Sequence, residues 1–125
     1  MLISLLMSQN FQPGDFLVFQ LEAGFALLRV LAVDEIDGDK TWHLAAYGDF
    51  FLDVETAEAA LTDLQGLSIN ASHLALTNRA FESTQVAKIA HIPLTPTETA
   101  TLNEWRNDPD HAISDRSIRL LLGLR

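Results

Sequence analysis

A chain of 125 residues with 48% hydrophobic residues is long enough for one buried core and too short for two ordinary domains, so we predict a single domain over residues 1–125. The chain has no cysteine, which excludes disulfides, thiolate metal sites and a cysteine nucleophile. Its formal net charge of −9 would repel a phosphate backbone, so we expect no binding to nucleic acid.

The N-terminal segment MLISLLMSQNF contains only a short apolar run. It has no basic lead-in and no small-residue cleavage pattern, so it does not have the features of a signal peptide. The run is also shorter than the roughly 20 apolar residues that a membrane span requires. We therefore expect a cytoplasmic protein that makes no contact with a membrane.

Three strands are predicted to open the chain. Residues 14–21 are rich in aromatic and branched side chains and follow the break at Pro13. Two further apolar runs, residues 25–33 and residues 41–51, have the same character. Residues 1–51 are therefore predicted to form an N-terminal meander of strands.

The acidic segment DEIDGDK, residues 34–40, lies between the second and third predicted strands. The Asp37-Gly38 pair in its middle is typical of a tight hairpin turn, because both residues tolerate positive φ. The alternative is a calcium loop of the EF-hand type, which needs glycine at position six and glutamate at position twelve. Counted from Asp34, the glycine comes one place early and position twelve is Ala45. The spacing therefore predicts a hairpin turn.

The middle of the chain is predicted to contain one helix followed by more strands. Asp53 is a candidate N-cap, apolar residues follow at helical spacing, and Gly66 is a candidate stop. We predict a helix over residues 53–66. Alternating and branched residues over 67–94 then predict further strands.

Helices are predicted for residues 95–125. Thr95 and Glu98 have the spacing of a capping box, with proline at the first helical position, so a helix should cover residues 96–107. An Asn-Asp-Pro-Asp segment ends it. Ser114 is a candidate N-cap for a final apolar helix.

Together these elements predict an α+β fold in which a small antiparallel, barrel-like sheet of about five strands is packed by two or three helices. Pairing the second and third strands around the acidic turn predicts that Val33 lies opposite Trp42. The same register predicts Leu31 opposite Leu44 and Arg29 opposite Ala46. Both faces of this strand pair are largely apolar, as expected when other elements cover both sides.

The run GDFLVFQLEAGFALLRVL, residues 14–31, resembles the opening strand pair of bacterial polymorphic-toxin immunity proteins. Those proteins pair a G-D-x-F-type strand with a G-x-h-h-h-x-R-V strand, where h is hydrophobic, in an SH3-like barrel. The matching positions are Gly14, Asp15, Leu21, Gly24, Arg29 and Val30. The resemblance covers 18 of the 125 residues. It implies an SH3-like sheet and a cytoplasmic protein that binds and neutralises a toxin, and it supplies no catalytic residues.

Negative charge is concentrated in residues 34–63, which hold nine carboxylates and one lysine. Such a patch would steer a basic protein partner toward it. The alternative is an ordinary solvated surface that keeps a hydrophobic chain soluble. Aromatic residues flank the acidic side chains and complete the predicted partner-binding set. The set is Asp34, Glu35, Asp37, Asp39, Tyr47, Asp49 and Phe50.

The sequence offers few patterns that indicate catalysis. Its four histidines lack metal-ligand spacing, and the chain has neither a nucleophile elbow nor a phosphate-binding glycine loop. Ser72 and His73 are adjacent on a predicted strand, so their side chains should point to opposite faces. We therefore predict no metal, no cofactor and no catalytic residue, and favour a protein that is not an enzyme. The histidines are His43, His73, His91 and His111.

Arg29 interrupts an apolar strand with a cation that must be paired if it is buried. It would form either an internal salt bridge or an anchor for a ligand carboxylate. The first functional hypothesis is a non-enzymatic protein-binding module, specifically an immunity-type inhibitor of a basic toxin. The second is a small-molecule or enzymatic pocket near Arg29, His43 and Tyr47. The third is a structural domain that self-associates through its C-terminal helix as a homo-oligomer.

Overall fold

A computed structural model describes the fold of residues 10–124. The prediction for the N-terminal apolar run falls on residues 1–9, outside the described residues. The strands are β1 (Asp15–Leu21), β2 (Gly24–Ile36), β3 (Asp39–Phe51), β4 (Ile69–Thr77) and β5 (Ala87–His91). The α-helices are α1 (Val54–Ala60), α2 (Asn78–Glu82), α3 (Pro96–Asn107) and α4 (Ile118–Leu122). A short 3₁₀ helix, Leu64–Gly66, follows α1.

The five strands form one antiparallel sheet with the order β4-β3-β2-β1-β5. This confirms the α+β class and the number of strands, but the described sheet is open, and the predicted barrel closure is not confirmed. Closure would require β4 to pair with β5. Instead, the outer edge of β4 bonds to Ser114, whose N–H donates to the Ala75 carbonyl at 2.8 Å.

The long β2–β3 hairpin has the predicted turn and a partly different register. Asp37 and Gly38 have φ values of 54° and 85°, as a tight two-residue hairpin turn requires. Val33 lies opposite Trp42 as predicted. The predictions of Leu31 opposite Leu44 and of Arg29 opposite Ala46 are wrong, because a β-bulge between Val30 and Ala32 shifts the register. The observed pairs are Val30 with Leu44 and Arg29 with Ala45.

Helices cover both faces of the sheet, which is the arrangement expected from the apolar character of both faces. On one face, Leu17, Leu28, Leu44 and other buried side chains pack against α2 and α4. The opposite face is covered by α1 and α3. Both faces are thus buried by helices, so the sheet needs no second wall of strands to complete its core.

The helix boundaries depart from prediction in three places. The predicted helix over 53–66 ends at Ala60, and the 3₁₀ turn follows as a separate element. A short helix, α2, was not predicted, so four α-helices are described where two or three were expected. The N-cap of α4 is Ser117, because Ser114 is bonded to β4. Among residues 10–124, no helix has both the length and the apolar character needed to cross a membrane.

Helix α3 begins with the predicted capping box. The Thr95 hydroxyl accepts from the Glu98 N–H, and the Glu98 carboxylate accepts from the Thr95 N–H at 3.0 Å. The same carboxylate accepts two hydrogen bonds from Arg29, at 2.8 and 3.1 Å. Arg29 also donates to the carbonyls of Gly14 and Pro93, and its guanidinium lies 4.2 Å from the centre of the Phe16 ring.

Arg29 is therefore a structural residue. Its side chain is fully buried, and four hydrogen bonds connect the central strand β2 to the start of β1, to the segment after β5 and to α3. Burial alone would raise the pKa of Glu98, but the Arg29 hydrogen bonds and the capping bonds hold that pKa below its usual value. The carboxylate is therefore ionised at neutral pH, and the internal salt bridge is formed.

We expect the Arg29→Met variant to lose about 3 kcal/mol of unfolding free energy, because it leaves a partly buried carboxylate and two carbonyls without their donor. Urea denaturation followed by circular dichroism measures the change. Arg79→Met is the matched control, because Arg79 pairs with Asp115 at the surface and its side chain is 83% exposed. The control should cost less than about 1 kcal/mol. Equal losses in the two variants would contradict the structural role of Arg29.

Candidate functional site

The structure places the predicted partner-binding residues at two separate ends of the β2–β3 hairpin. Glu35, Asp37 and Asp39 lie at the turn. Asp49 and Phe50 lie at the opposite end of β3, about 30 Å away at the usual rise of a strand. The seven residues therefore do not form one surface, because a segment that is continuous in sequence runs along an extended strand.

Three members of the predicted set already have partners within the fold. The Tyr47 side chain is buried in the core, and Asp34 lies half-buried between His43 and Arg106. Asp49 accepts a hydrogen bond from the Ser68 N–H at 2.6 Å. The free acidic side chains of the set are consequently those of the turn.

The end of the hairpin extends beyond its neighbouring strands. The last β1–β2 pair in this direction is Phe16 with Arg29, and the last β3–β4 pair is Thr41 with Thr77. Within the part of the chain that the structure describes, residues 35–40, which we call the hairpin tip, therefore have only each other as strand partners. The tip is Glu35, Ile36, Asp37, Gly38, Asp39 and Lys40.

The hairpin tip combines an exposed apolar side chain with negative charge. Ile36 is 69% exposed, and three carboxylates surround it in sequence. The turn between Ile36 and Asp39 has positive φ at both central positions, so the tip has a defined conformation. An apolar side chain rimmed by charge is typical of a protein-binding surface.

The predicted pocket near Arg29, His43 and Tyr47 is not present as a single cavity. The cavity next to Tyr47 measures about 130 Å³ and is lined also by Glu98, and neither Arg29 nor His43 lines it. All three side chains are buried, and the donors of Arg29 already have protein partners. A ligand carboxylate would therefore have to displace Glu98 from Arg29.

His43 belongs instead to a chain of hydrogen bonds that joins four elements, β2, β3, β4 and α3. Its Nε2 lies 2.9 Å from the Asp34 carboxylate, and its Nδ1 lies 2.9 Å from Nε2 of His73 on the neighbouring strand. Arg106 of α3 donates to the other Asp34 oxygen at 2.7 Å. We call these four side chains the histidine relay.

The direction of each proton in the histidine relay follows from Asp34. Burial alone would raise the pKa of Asp34, but hydrogen bonds from Arg106 and His43 hold it below its usual value, so the carboxylate only accepts. Burial lowers the pKa of His43, which keeps that ring neutral. His43 therefore donates from Nε2 and accepts at Nδ1, and His73 donates its Nε2 proton.

His73 is also neutral at pH 7. Burial, the neighbouring His43 and the charge of Arg106 lower the pKa of His73 to about 4. Because its proton is on Nε2, its Nδ1 holds a free electron pair and has no partner among residues 10–124. His73 can thus accept a hydrogen bond, but it is a weak base compared with a histidine whose pKa is near neutral pH.

His73 lines a cavity of about 350 Å³ at the C-terminal end of α3, which we call the Trp105 cavity. Trp105 contacts both histidines of the relay, with its ring centre 4.9 Å from that of His43 and 5.4 Å from that of His73. The His111 ring stacks on Trp105 at 4.1 Å. Asp108, Asp110 and Ser114 complete the polar part of the lining.

The sequence patterns did not predict that the residues of the Trp105 cavity lie together, although His73 was considered singly. The hydrogen bond between His43 and His73 depends on the register of β3 against β4, which shifts next to Leu44. Trp105 and Arg106 reach the relay only because α3 packs on this face. The available signal was one histidine on each of two neighbouring predicted strands.

Within residues 10–124, no cluster of three or more histidine, aspartate or glutamate side chains is placed to hold a metal ion. The arrangement can therefore provide hydrogen-bond acceptors and an aromatic surface from its own residues.

No protein family, curated protein or solved structure matches this chain.

We expect the stability of the protein to fall as the pH is lowered from about 6.5 to about 4. In this range unfolded His73, with its ordinary pKa of 6.5, takes up a proton that the folded residue does not bind until the pH reaches about 4. Protonation therefore favours the unfolded state, and the stabilising effect of raising the pH is complete above about 6.5. Thermal unfolding at several pH values measures the slope.

The His73→Gln variant tests this assignment, because glutamine keeps a donor for His43 and does not titrate. The variant should show a shallower decrease of melting temperature between pH 6.5 and 4 than the parent protein. Two parallel curves would contradict the lowered pKa of His73.

Proposed function

We propose that this chain is a non-enzymatic protein-binding module that docks a basic protein on its hairpin tip. The observation that carries the proposal is the exposed Ile36 within three free carboxylates on an extension of the sheet. The apolar side chain would supply the buried contact, and the carboxylates would attract a basic partner and orient it.

The shape of the hairpin tip supports this role. Its turn conformation is set by Asp37 and Gly38, so little conformational entropy is lost when a partner binds. No residue of the tip belongs to the hydrophobic clusters on either face of the sheet, so a partner can cover the tip without disturbing the fold. The overall charge of −9 would increase the rate of encounter with a basic protein.

The kind of partner that we propose is a basic toxin, which the protein would inhibit as a bacterial immunity protein does. The support is the resemblance of residues 14–31 to the opening strand pair of SH3-like immunity proteins. In the fold this segment forms β1 and most of β2, a hairpin whose second strand leads directly to the tip. An inhibitor needs only a tight surface contact. This agrees with a site that consists of the exposed Ile36 side chain and the surrounding carboxylates.

We expect neutralisation of the hairpin tip to abolish capture of the partner. The test variant is Glu35→Gln with Asp37→Asn and Asp39→Asn, in which asparagine retains the tolerance of position 37 for positive φ. The measurement is an affinity pull-down from a lysate of the source organism at low and moderate salt, followed by mass spectrometry. For a purified partner, the affinity should fall at least about tenfold.

The matched control removes three carboxylates outside the hairpin, in the region of α1. Glu55→Gln, Glu58→Gln and Asp63→Asn change the net charge equally and alter exposed side chains on or next to α1. A basic protein retained by the parent and the control, and lost with the tip variant, would support the proposal. Identical captures by all three proteins would refute the tip as the site.

Inhibition needs a separate test. The captured protein should slow bacterial growth when it is expressed alone, and co-expression of the parent chain should restore growth. Co-expression of the tip variant should not. If the captured protein does not slow growth when it is expressed alone, the immunity role is rejected, and only the binding function remains supported.

A further inference from the structure

The Trp105 cavity has a composition that the hairpin tip does not explain. Its lining combines one neutral nitrogen acceptor, an aromatic surface and two carboxylates. It measures about 350 Å³, which is within the range of small-ligand pockets. The cavity is formed by β4, α3 and the segment that follows α3, so it is distinct from residues 35–40.

The histidine relay determines what His73 offers to this cavity. Asp34 can only accept, so His43 donates to it and accepts from His73. The remaining nitrogen of His73, Nδ1, therefore has an electron pair and no proton. A ligand atom that contacts Nδ1 must be a hydrogen-bond donor, since a second acceptor would leave both electron pairs unsatisfied.

The charges around the cavity favour a cation. Asp108 and Asp110 line it, and no lysine or arginine side chain of residues 10–124 is part of the lining. One Asp108 oxygen accepts from the Asp110 N–H at 2.8 Å, which holds the first carboxylate in place. The nearest cation of the relay, Arg106, is bonded to Asp34. An N–H donor with positive charge would satisfy both His73 and the carboxylates.

The alternatives fit less well. His73 has a pKa of about 4, so catalysis as a general base at neutral pH would be inefficient. A metal ion would need more ligands than the described residues bring together. An anion would face two carboxylates and an electron pair. Trp105 is part of the cavity wall, and the His111 ring covers one of its faces.

We propose that the Trp105 cavity is a binding site for a guanidinium or ammonium group, with His73 Nδ1 accepting one of its N–H bonds. The group can belong to a free small molecule or to an arginine or lysine side chain of a protein. Asp110 supplies the opposite charge. The proposal stands independently of the hairpin tip and its partner.

The test uses methylguanidinium as the probe and N-methylurea as its neutral analogue of the same shape. Binding to the full chain is followed by the ¹⁵N resonance of His73 Nδ1 and by isothermal titration calorimetry. Methylguanidinium should bind with a dissociation constant on the order of 1 mM and shift the Nδ1 resonance. N-methylurea should bind at least about tenfold more weakly, because it lacks the charge.

Two substitutions locate the binding to this cavity. Asp110→Asn keeps the histidine relay intact and should weaken methylguanidinium binding at least about fivefold. Glu104→Gln is the matched control, because Glu104 is an exposed carboxylate on α3 that does not line the cavity. The control should bind as the parent does. The hairpin-tip variant should also bind normally, which separates this proposal from the proposed function.

A blocked Gly-Arg-Gly peptide, acetylated and amidated, distinguishes the sources of the cation. A shift of His73 Nδ1 by both probes indicates that a free cation suffices, and a shift by the peptide alone indicates an arginine side chain of a protein. Either result supports the proposal. It is overturned if neither probe shifts the resonance at tens of millimolar, if N-methylurea binds as tightly, or if Asp110→Asn and Glu104→Gln have equal effects.

Discussion

The ion pair between Arg29 and Glu98 is the interaction on which the arrangement of this fold depends. A fully buried guanidinium is tolerated only when its donors are satisfied, so four acceptors must be brought to one point in the central strand. Those acceptors come from the start of β1, from the segment after β5 and from α3. One buried cation therefore determines where α3 lies on the sheet.

The position of α3 then determines the chemistry at its other end. Glu98 is in the first turn of the helix, and Trp105 and Arg106 are two turns further along. Once the first turn is held by Arg29, the last turn brings Arg106 to Asp34 and Trp105 to the two histidines. The contribution of Arg106 to the histidine relay thus depends on the salt bridge that holds the first turn of the same helix.

The unequal lengths of the strands separate the two candidate surfaces. β2 and β3 each have 13 residues, whereas β1 has seven and β4 has nine. The longest hairpin therefore extends past its neighbours and exposes the tip, while the stretch nearer the sheet is covered by α3. Asp34 lies at the boundary, where the acidic stretch stops being a surface feature and becomes part of the relay.

Features that depend on neighbouring residues were predictable. The Asp37-Gly38 turn, the Val33–Trp42 pair and the capping box of Thr95 and Glu98 each follow from backbone conformation or hydrogen bonding within a few positions. Those signals also indicated an α+β fold with about five strands. They were sufficient because a turn or a cap has the same energetics wherever it occurs in a fold.

Other features required the assembled structure. The bulge next to Val30 changes the register of β2 against β3. Ser114 bonds to the edge of β4 and therefore does not cap the last helix. The sheet is open, where a barrel-like sheet was predicted. Each results from competition between distant segments for the same hydrogen bonds or the same apolar face.

The acidic stretch and the paired histidines show most clearly which properties the sequence determines and which depend on the tertiary structure. Composition alone established a cysteine-free, strongly acidic chain, and local patterns predicted the Asp37-Gly38 turn, the Asp53 and Thr95 caps and most of the strands. Only the tertiary structure decided which carboxylates remain free and which histidines meet. The physical reason is that charge and hydrogen-bonding capacity belong to individual residues, whereas burial and partnership depend on contacts between segments that are far apart along the chain.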